Sequence, residues 1–170
     1  RGRGLRATRD IGAGEVLVRE RPTALCFGDD VEGDGADEAR DEIIAQLFIA
    51  AAKPGPTATA ISKLCAFVEQ HDKSTLDEVA AAATPAVRAR VAKRAGADVA
   101  NSVTPSAVAH TYCQYSLNAM AVLGPASLDT IGTGVYALHG ALCNSELEPN
   151  CWCCFELNCS SGCLLYTSDA

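Results

Sequence analysis

Positive charge is scarce in this chain. Against 21 Asp+Glu stand 14 Lys+Arg, a net charge of -7 over 170 residues. A nucleic-acid backbone is held mainly by a cationic surface, so direct nucleic-acid binding is not expected. A run of about 18 apolar residues, the length needed for a membrane-spanning helix, is also missing. So is a basic start followed by an apolar segment, which would read as a signal peptide. These absences lead to the expectation of a soluble, intracellular protein with no membrane partner. Two separate C-x2-C pairs, as a common zinc framework has, do not occur together. No G-x-S-x-G elbow precedes any of the three histidines, His71, His110 and His139, which removes one familiar setting for a nucleophilic serine. There is no internal repeat.

Cysteine, by contrast, is abundant. Of nine cysteines, Cys26, Cys65 and Cys113 stand alone, and the others fall between Cys143 and Cys163. An odd count and a helical, alanine-rich middle argue for thiols or a metal rather than a disulfide framework. "CWCCF" fits a core strand in which cysteine acts as a small buried hydrophobe, or a metal-binding stretch, and spacing alone leaves both open. Cys143 with His139 is a Cys/His pair that nothing local supports as a hydrolase.

The length suits one domain with a sizeable core. "GLRATRDIGAGEVLVRERPTALCF" alternates around Gly12-Ala13-Gly14 and predicts two strands joined by a hairpin, with a third at Thr23 to Phe27. The acidic stretch from Gly28 to Glu42 and the basic stretch from Arg88 to Gly96 read as solvated surfaces, the acidic one also suited to a basic peptide. Apolar residues at helical spacing predict a helix over 37–53, ended by Pro54-Gly55-Pro56, and a second over 58–71. A third starts near Thr75, where Thr75 and Glu78 have capping-box spacing. Thr84-Pro85 and Thr104-Pro105 each read as an N-cap followed by proline at the first helical position, the later helix running to about Leu123. His110, in that helix, reads as structural. "GTGVYAL" and "CWCCFEL" predict strands. The fold class is therefore α+β: short-strand sheets interrupted by a helical insert over 37–123, with the two β parts meeting across it in one sheet system.

Two ends of the chain carry chemistry. In "RGRGLRATRDIGAGEVL", Gly2 and Gly4 permit a close backbone approach, and Arg1, Arg3 and Arg6 supply cationic donors beside it. That suits the carboxylate or phosphate end of a ligand, or a basic surface turn. "CNSELEPNC", Cys143 to Cys151, places two asparagines, two glutamates and a proline between cysteines.

Taken together, "GRGLRATRDIGAGEVLVRERP", "YCQYSLNAMAV" (Tyr112 to Val122) and "GTGVYALHGALCNSELEPNC" resemble, in order, three regions of SET-domain protein-lysine methyltransferases of the SET-and-MYND branch. No zinc-binding MYND cysteine series lies between Cys26 and Cys113, so no metal site is implied. The resemblance implies a SET-type (β-clip-like) domain over 1–162. Its parts are N-terminal strands (1–27), the helical insert (37–123) and a core segment (124–162), with 163–170 set apart as a tail of non-native character. It implies S-adenosylmethionine as cofactor, contacted by Arg1, Gly2, Arg3, Gly4, Asn118, Asn144 and Ser145. A protein or peptide lysine, histone or non-histone, is the implied substrate, in the nucleus or cytoplasm. Ser145 stands where the family has histidine, and Glu146 and Leu147 where it has serine and cysteine; Pro149, Asn150 and Cys151 resume the pattern. The family's catalytic tyrosine follows a G-E-E turn further on. Tyr166 has no such context, so no catalytic residue is assigned and a C-terminally incomplete domain is expected. The alternative is a non-catalytic interaction module derived from the same fold, with a decayed cofactor site.

Overall fold

The computed structural model describes residues 7–28, 35–124 and 129–142, and the backbone of 151–158 and 161–168. The fold is α+β. Strands β1 (Val16–Glu20) and β2 (Ala24–Phe27) precede five helices: α1 (Ala36–Ala51), α2 (Pro56–Ile61), α3 (Lys73–Ala95), α4 (Ala97–Ala100) and α5 (Pro105–Asn118). Strands β3 (Ala119–Leu123), β4 (Thr130–Val135), β5 (Cys151–Asn158) and β6 (Ser161–Ser168) follow. Two antiparallel three-stranded sheets result, in the orders β2-β4-β3 and β1-β6-β5. Each joins an N-terminal strand to C-terminal ones across the helical block, so the β parts do meet, but in two sheets rather than one. The stretch from Cys163 continues as part of β6, the central strand of its sheet.

Helix α1 is the hub. Its Ile44 and Ala45 face a helical core with Ala80, Ala83, Val87, Val91, Ala100, Val103 and Val108. Ile43 and Leu47 face a second core with Ala24, Cys26, Ile61, Leu64, Val135 and Ala137, which joins the helices to the sheet. Polar contacts fix the same docking. The Gln46 amide accepts from Leu25 N at 2.9 Å and donates to Leu25 O at 2.8 Å, which satisfies the outward backbone groups of the edge strand β2. Gln46 also donates to Glu42 at 2.8 Å, and Glu42 receives a two-pronged pair from Arg94 on α3, one arm at 2.9 Å, with Arg90 at 3.5 Å. Burial raises the Glu42 pKa, but the hydrogen bonds from Arg94 and Gln46 and the positive charges of Arg94 and Arg90 outweigh it, so the net shift is downward and the group stays ionised. Glu42, from the acidic stretch expected to be a solvated surface, is thus bound to Arg90 and Arg94 of the basic one.

Several boundaries differ from the sequence expectation. Before the Gly12 turn there is no strand among the described residues. The turn is closed instead by Glu15 N donating to Gly12 O at 3.1 Å, with Gly14 at φ 73° and an Arg9–Glu15 ion pair. The second helix is one short turn pair, α2, followed by a 3-10 turn at Val68–Gln70. Pro85 does not start a helix; it lies inside α3 on its exposed side, while the buried Thr84 hydroxyl donates to Ala80 O at 2.6 Å. Thr104 is the N-cap expected, accepting from Ala107 N at 3.2 Å, but α5 ends at Asn118 and residues 119–123 are strand. His110 is exposed on α5.

Helix α3 is capped one turn earlier than its capping-box spacing suggests. The Asp72 carboxylate accepts from Thr75 N at 2.8 Å, from the Ser74 hydroxyl at 2.8 Å and from the Thr75 hydroxyl at 2.9 Å. These donors, the Thr75 amide foremost, lower its pKa from 3.8 to about 2. A depressed carboxylate pKa contributes stability that is present above the unfolded value and is lost as pH falls through the folded one. The gap in urea midpoint between the parent and Asp72→Ala is therefore expected to hold from neutral pH to about pH 4.5 and to shrink towards zero near about pH 2. A gap undiminished at the acid end contradicts this account of the cap.

Candidate functional site

Register brings three distant segments to one end of the β2-β4-β3 sheet. Ala24, which opens β2, and Ala119, which opens β3, both pair with Val135, which closes β4. Glu20, Asn118 and the turn after Val135 therefore gather at the same sheet end. The closeness of β2 and β4 depends on glycine: a Cβ at Gly132 would sit 2.6 Å from the Cys26 carbonyl oxygen, so only the bare backbone fits there.

The turn over residues 136–142 is held from β1 and the β1–β2 link. Thr23 N donates to Val135 O at 2.7 Å, and the Thr23 hydroxyl oxygen accepts from Ala137 N at 3.2 Å. Glu20 is 3% exposed, and its carboxylate accepts three successive amides at 2.8 Å: Leu138 N on Oε1, and His139 N and Gly140 N on Oε2. Burying a carboxylate is costly unless it is paired and hydrogen-bonded, and consecutive backbone N–H groups form a concavity that receives an anion. His139, half exposed, has its Nδ1 3.8 Å from Glu20 Oε2. Glu20 was not among the residues singled out from the sequence, and only the buried end of β1 reveals its use.

Asn118 is the one proposed cofactor residue within the described residues. As the last residue of α5 it is half-buried, and its Nδ2 donates to Gln114 O at 2.7 Å and Cys65 O at 2.9 Å. Both amide hydrogens are thus committed to backbone, and its Oδ1 is the atom it can offer a ligand. Arg1, Gly2, Arg3, Gly4, Asn144 and Ser145 lie outside the described residues. The chain enters the segment carrying Asn144 and Ser145 directly from the turn that Glu20 holds.

Other candidates carry less chemistry. Cys26, Cys65 and Cys113 are thiols; Cys26 and Cys113 are buried, and burial pushes the Cys113 pKa up, which keeps it protonated and a poor nucleophile. Among the described residues no three His, Cys, Asp or Glu side chains are grouped to hold a metal ion, and no helix is long and apolar enough to cross a membrane. An open cavity of about 520 Å³ lies beside the start of β2, lined by Thr23, Ile49, Lys53, Thr57 and Arg94 among others. Asn118 does not line it, and its Arg94 is already paired with Glu42. Asp41 and Glu42 are likewise paired, with Arg40 and Arg94, and are not open to a basic peptide.

Neither protein-family models nor curated proteins give a match to this chain.

One Asn118 bond ties the end of α5 to Cys65 in the loop after α2, and the other, to Gln114 O, stays within α5. Asn118→Ala removes both and is expected to lower stability by about 1–2 kcal/mol in urea denaturation, with faster amide exchange around Cys65. An unchanged midpoint would show that these bonds are not part of the anchoring.

Proposed function

We propose that this chain is a SET-type domain of the SET-and-MYND branch, without its zinc finger, and that its activity is methyl transfer from S-adenosylmethionine to a protein lysine. One observation carries the reading. The second and third stretches that resemble the family contribute most of β3 and β4, hydrogen-bonded neighbours in one sheet, and β2, which begins two positions after the first stretch ends at Pro22, pairs with the other side of β4. Asn118 and the turn after Val135 lie at one end of that sheet.

The residues suit such a ligand. Asn118 Oδ1 can accept from an ammonium or an adenine amino group, and asparagine amides and arginines at the other implied positions can bond an amino-acid end. When bound, the cofactor supplies a methyl group already activated by its sulfonium. The task left to the protein is to align a neutral lysine amine with that methyl and to exclude water, so binding and orientation account for most of the rate.

A second reading, a non-catalytic interaction module of the same lineage, is favoured by Ser145, Glu146 and Leu147, which replace the family's histidine, serine and cysteine. Calorimetric titration with S-adenosylmethionine separates the two. Micromolar binding, weakened about tenfold or more by Asn144→Ala, about 1.4 kcal/mol, is the expected result for the methyltransferase lineage. Silence in that titration, with no tritiated methyl transfer to histones or lysate above blank, leaves the interaction module.

A further inference from the structure

We propose that the open cavity of about 520 Å³ beside the start of β2 is a binding site for a small organic anion, one that carries a phosphate or carboxylate on a compact apolar body. The inference goes beyond the methyltransferase reading and does not rest on it. The chain has 21 acidic against 14 basic residues, yet no acidic side chain lines this cavity, while Lys53 and Arg94 both do. Separate elements bring them there: Lys53 lies in the link between α1 and α2, and Arg94 in the last turn of α3. Among the described residues no carboxylate pairs with Lys53. Arg94 gives Glu42 one N–H from each terminal nitrogen, which leaves three N–H groups of its guanidinium uncommitted. Arg90 also faces Glu42, at 3.5 Å, so two cations meet one carboxylate and the local balance stays positive. Two hydroxyls add to the donors. The Thr23 oxygen accepts from Ala137 N and keeps its proton for an anion, and the half-buried Thr57 makes no side-chain bond among the described residues. Gln46, by contrast, is committed at both ends of its amide, to Leu25 and Glu42, and serves as wall. Ile49, Pro54 and Pro56 supply the apolar side. The two prolines fix their own φ, so the rim needs little ordering when a ligand arrives. A small-molecule site ordinarily combines such an apolar wall with a few converging polar groups.

The experiment follows amide chemical shifts of the whole chain during titration with phenyl phosphate and with benzoate, beside inorganic phosphate and the neutral benzyl alcohol. Phenyl phosphate or benzoate is expected to shift the Thr23, Lys53, Gly55 and Thr57 amides with a Kd below about 1 mM at low salt. That affinity is expected to fall as salt is added, and to exceed those of inorganic phosphate and benzyl alcohol. Lys53→Met keeps the apolar stem of an exposed side chain and removes its charge, and is expected to weaken binding about tenfold. Lys73→Met makes the same change in net charge where α3 begins, at the far end from Arg94, and is expected to bind as the parent does. Titration of Lys53→Met with S-adenosylmethionine is expected to match that of the parent. No shift at the four amides with about 10 mM of either organic anion overturns the site. Binding that survives Lys53→Met, or that falls equally in Lys73→Met, overturns it too, since only general charge attraction is then at work. Equal affinity for inorganic phosphate or benzyl alcohol overturns the class of ligand. A matching loss of S-adenosylmethionine affinity in Lys53→Met makes the cavity part of the cofactor's site and overturns its separateness. If the parent ignores S-adenosylmethionine while the organic anion binds through Lys53, the anion site stands and the methyltransferase reading fails.

Discussion

Residues 24–27 and 132–135 can pair only if the long helical block between them returns the chain to its starting point. Closing such a span costs conformational entropy, and the cost is smaller when the intervening chain is already compact. The block meets that requirement through α1, which packs on α3 and α5 with one side and on β2 and β4 with the other. Gln46 then completes the backbone bonding of Leu25, and Arg94 on α3 holds Glu42 one turn away. The helices are in this sense the template on which the β2–β4 ladder closes. Gly132 is where that ladder is least forgiving, since any side chain there would meet the Cys26 carbonyl.

Local pattern revealed elements better than it revealed their partners. Helix α1 and the Thr104-Pro105 start were legible because apolar spacing and capping chemistry act within one turn. The same dipeptide signal misled at Thr84-Pro85. "EVAAAA" before it consists mostly of strong helix formers, so the helix has no reason to stop. Proline there loses one backbone bond on the exposed side, while buried Ala83 and Val87 keep the apolar face continuous. Before Thr104, by contrast, Gly96, Asn101 and Ser102 break the chain first. The hairpin expected around Gly12 failed for a related reason: alternation marks a strand but not its neighbour, and β1 finds its ladder in β6.

The site was legible to a smaller degree. Asn118 was singled out through resemblance, and nothing in its helical neighbourhood distinguishes it from other polar residues at a helix end. Glu20 was invisible because its environment is assembled from residues more than a hundred positions away. A single acidic residue between two arginines carries no local mark of burial. The basic stretch from Arg88 to Gly96 is mostly exposed, as expected, but only tertiary packing places Glu42 beside Arg90 and Arg94.

The described hydrogen bonds at the end of β4 are made by residues outside 143–150. Thr23, Glu20, the Val135 pairings and the Asn118 anchor all lie outside 143–150, and each is satisfied by backbone groups of the sheet, its turn or the neighbouring helices. Substitutions inside the segment, such as Ser145 at the family's histidine position, change none of those donors and acceptors. On the methyltransferase reading, a lineage could lose cofactor binding through changes in the segment while these donors and acceptors stay the same.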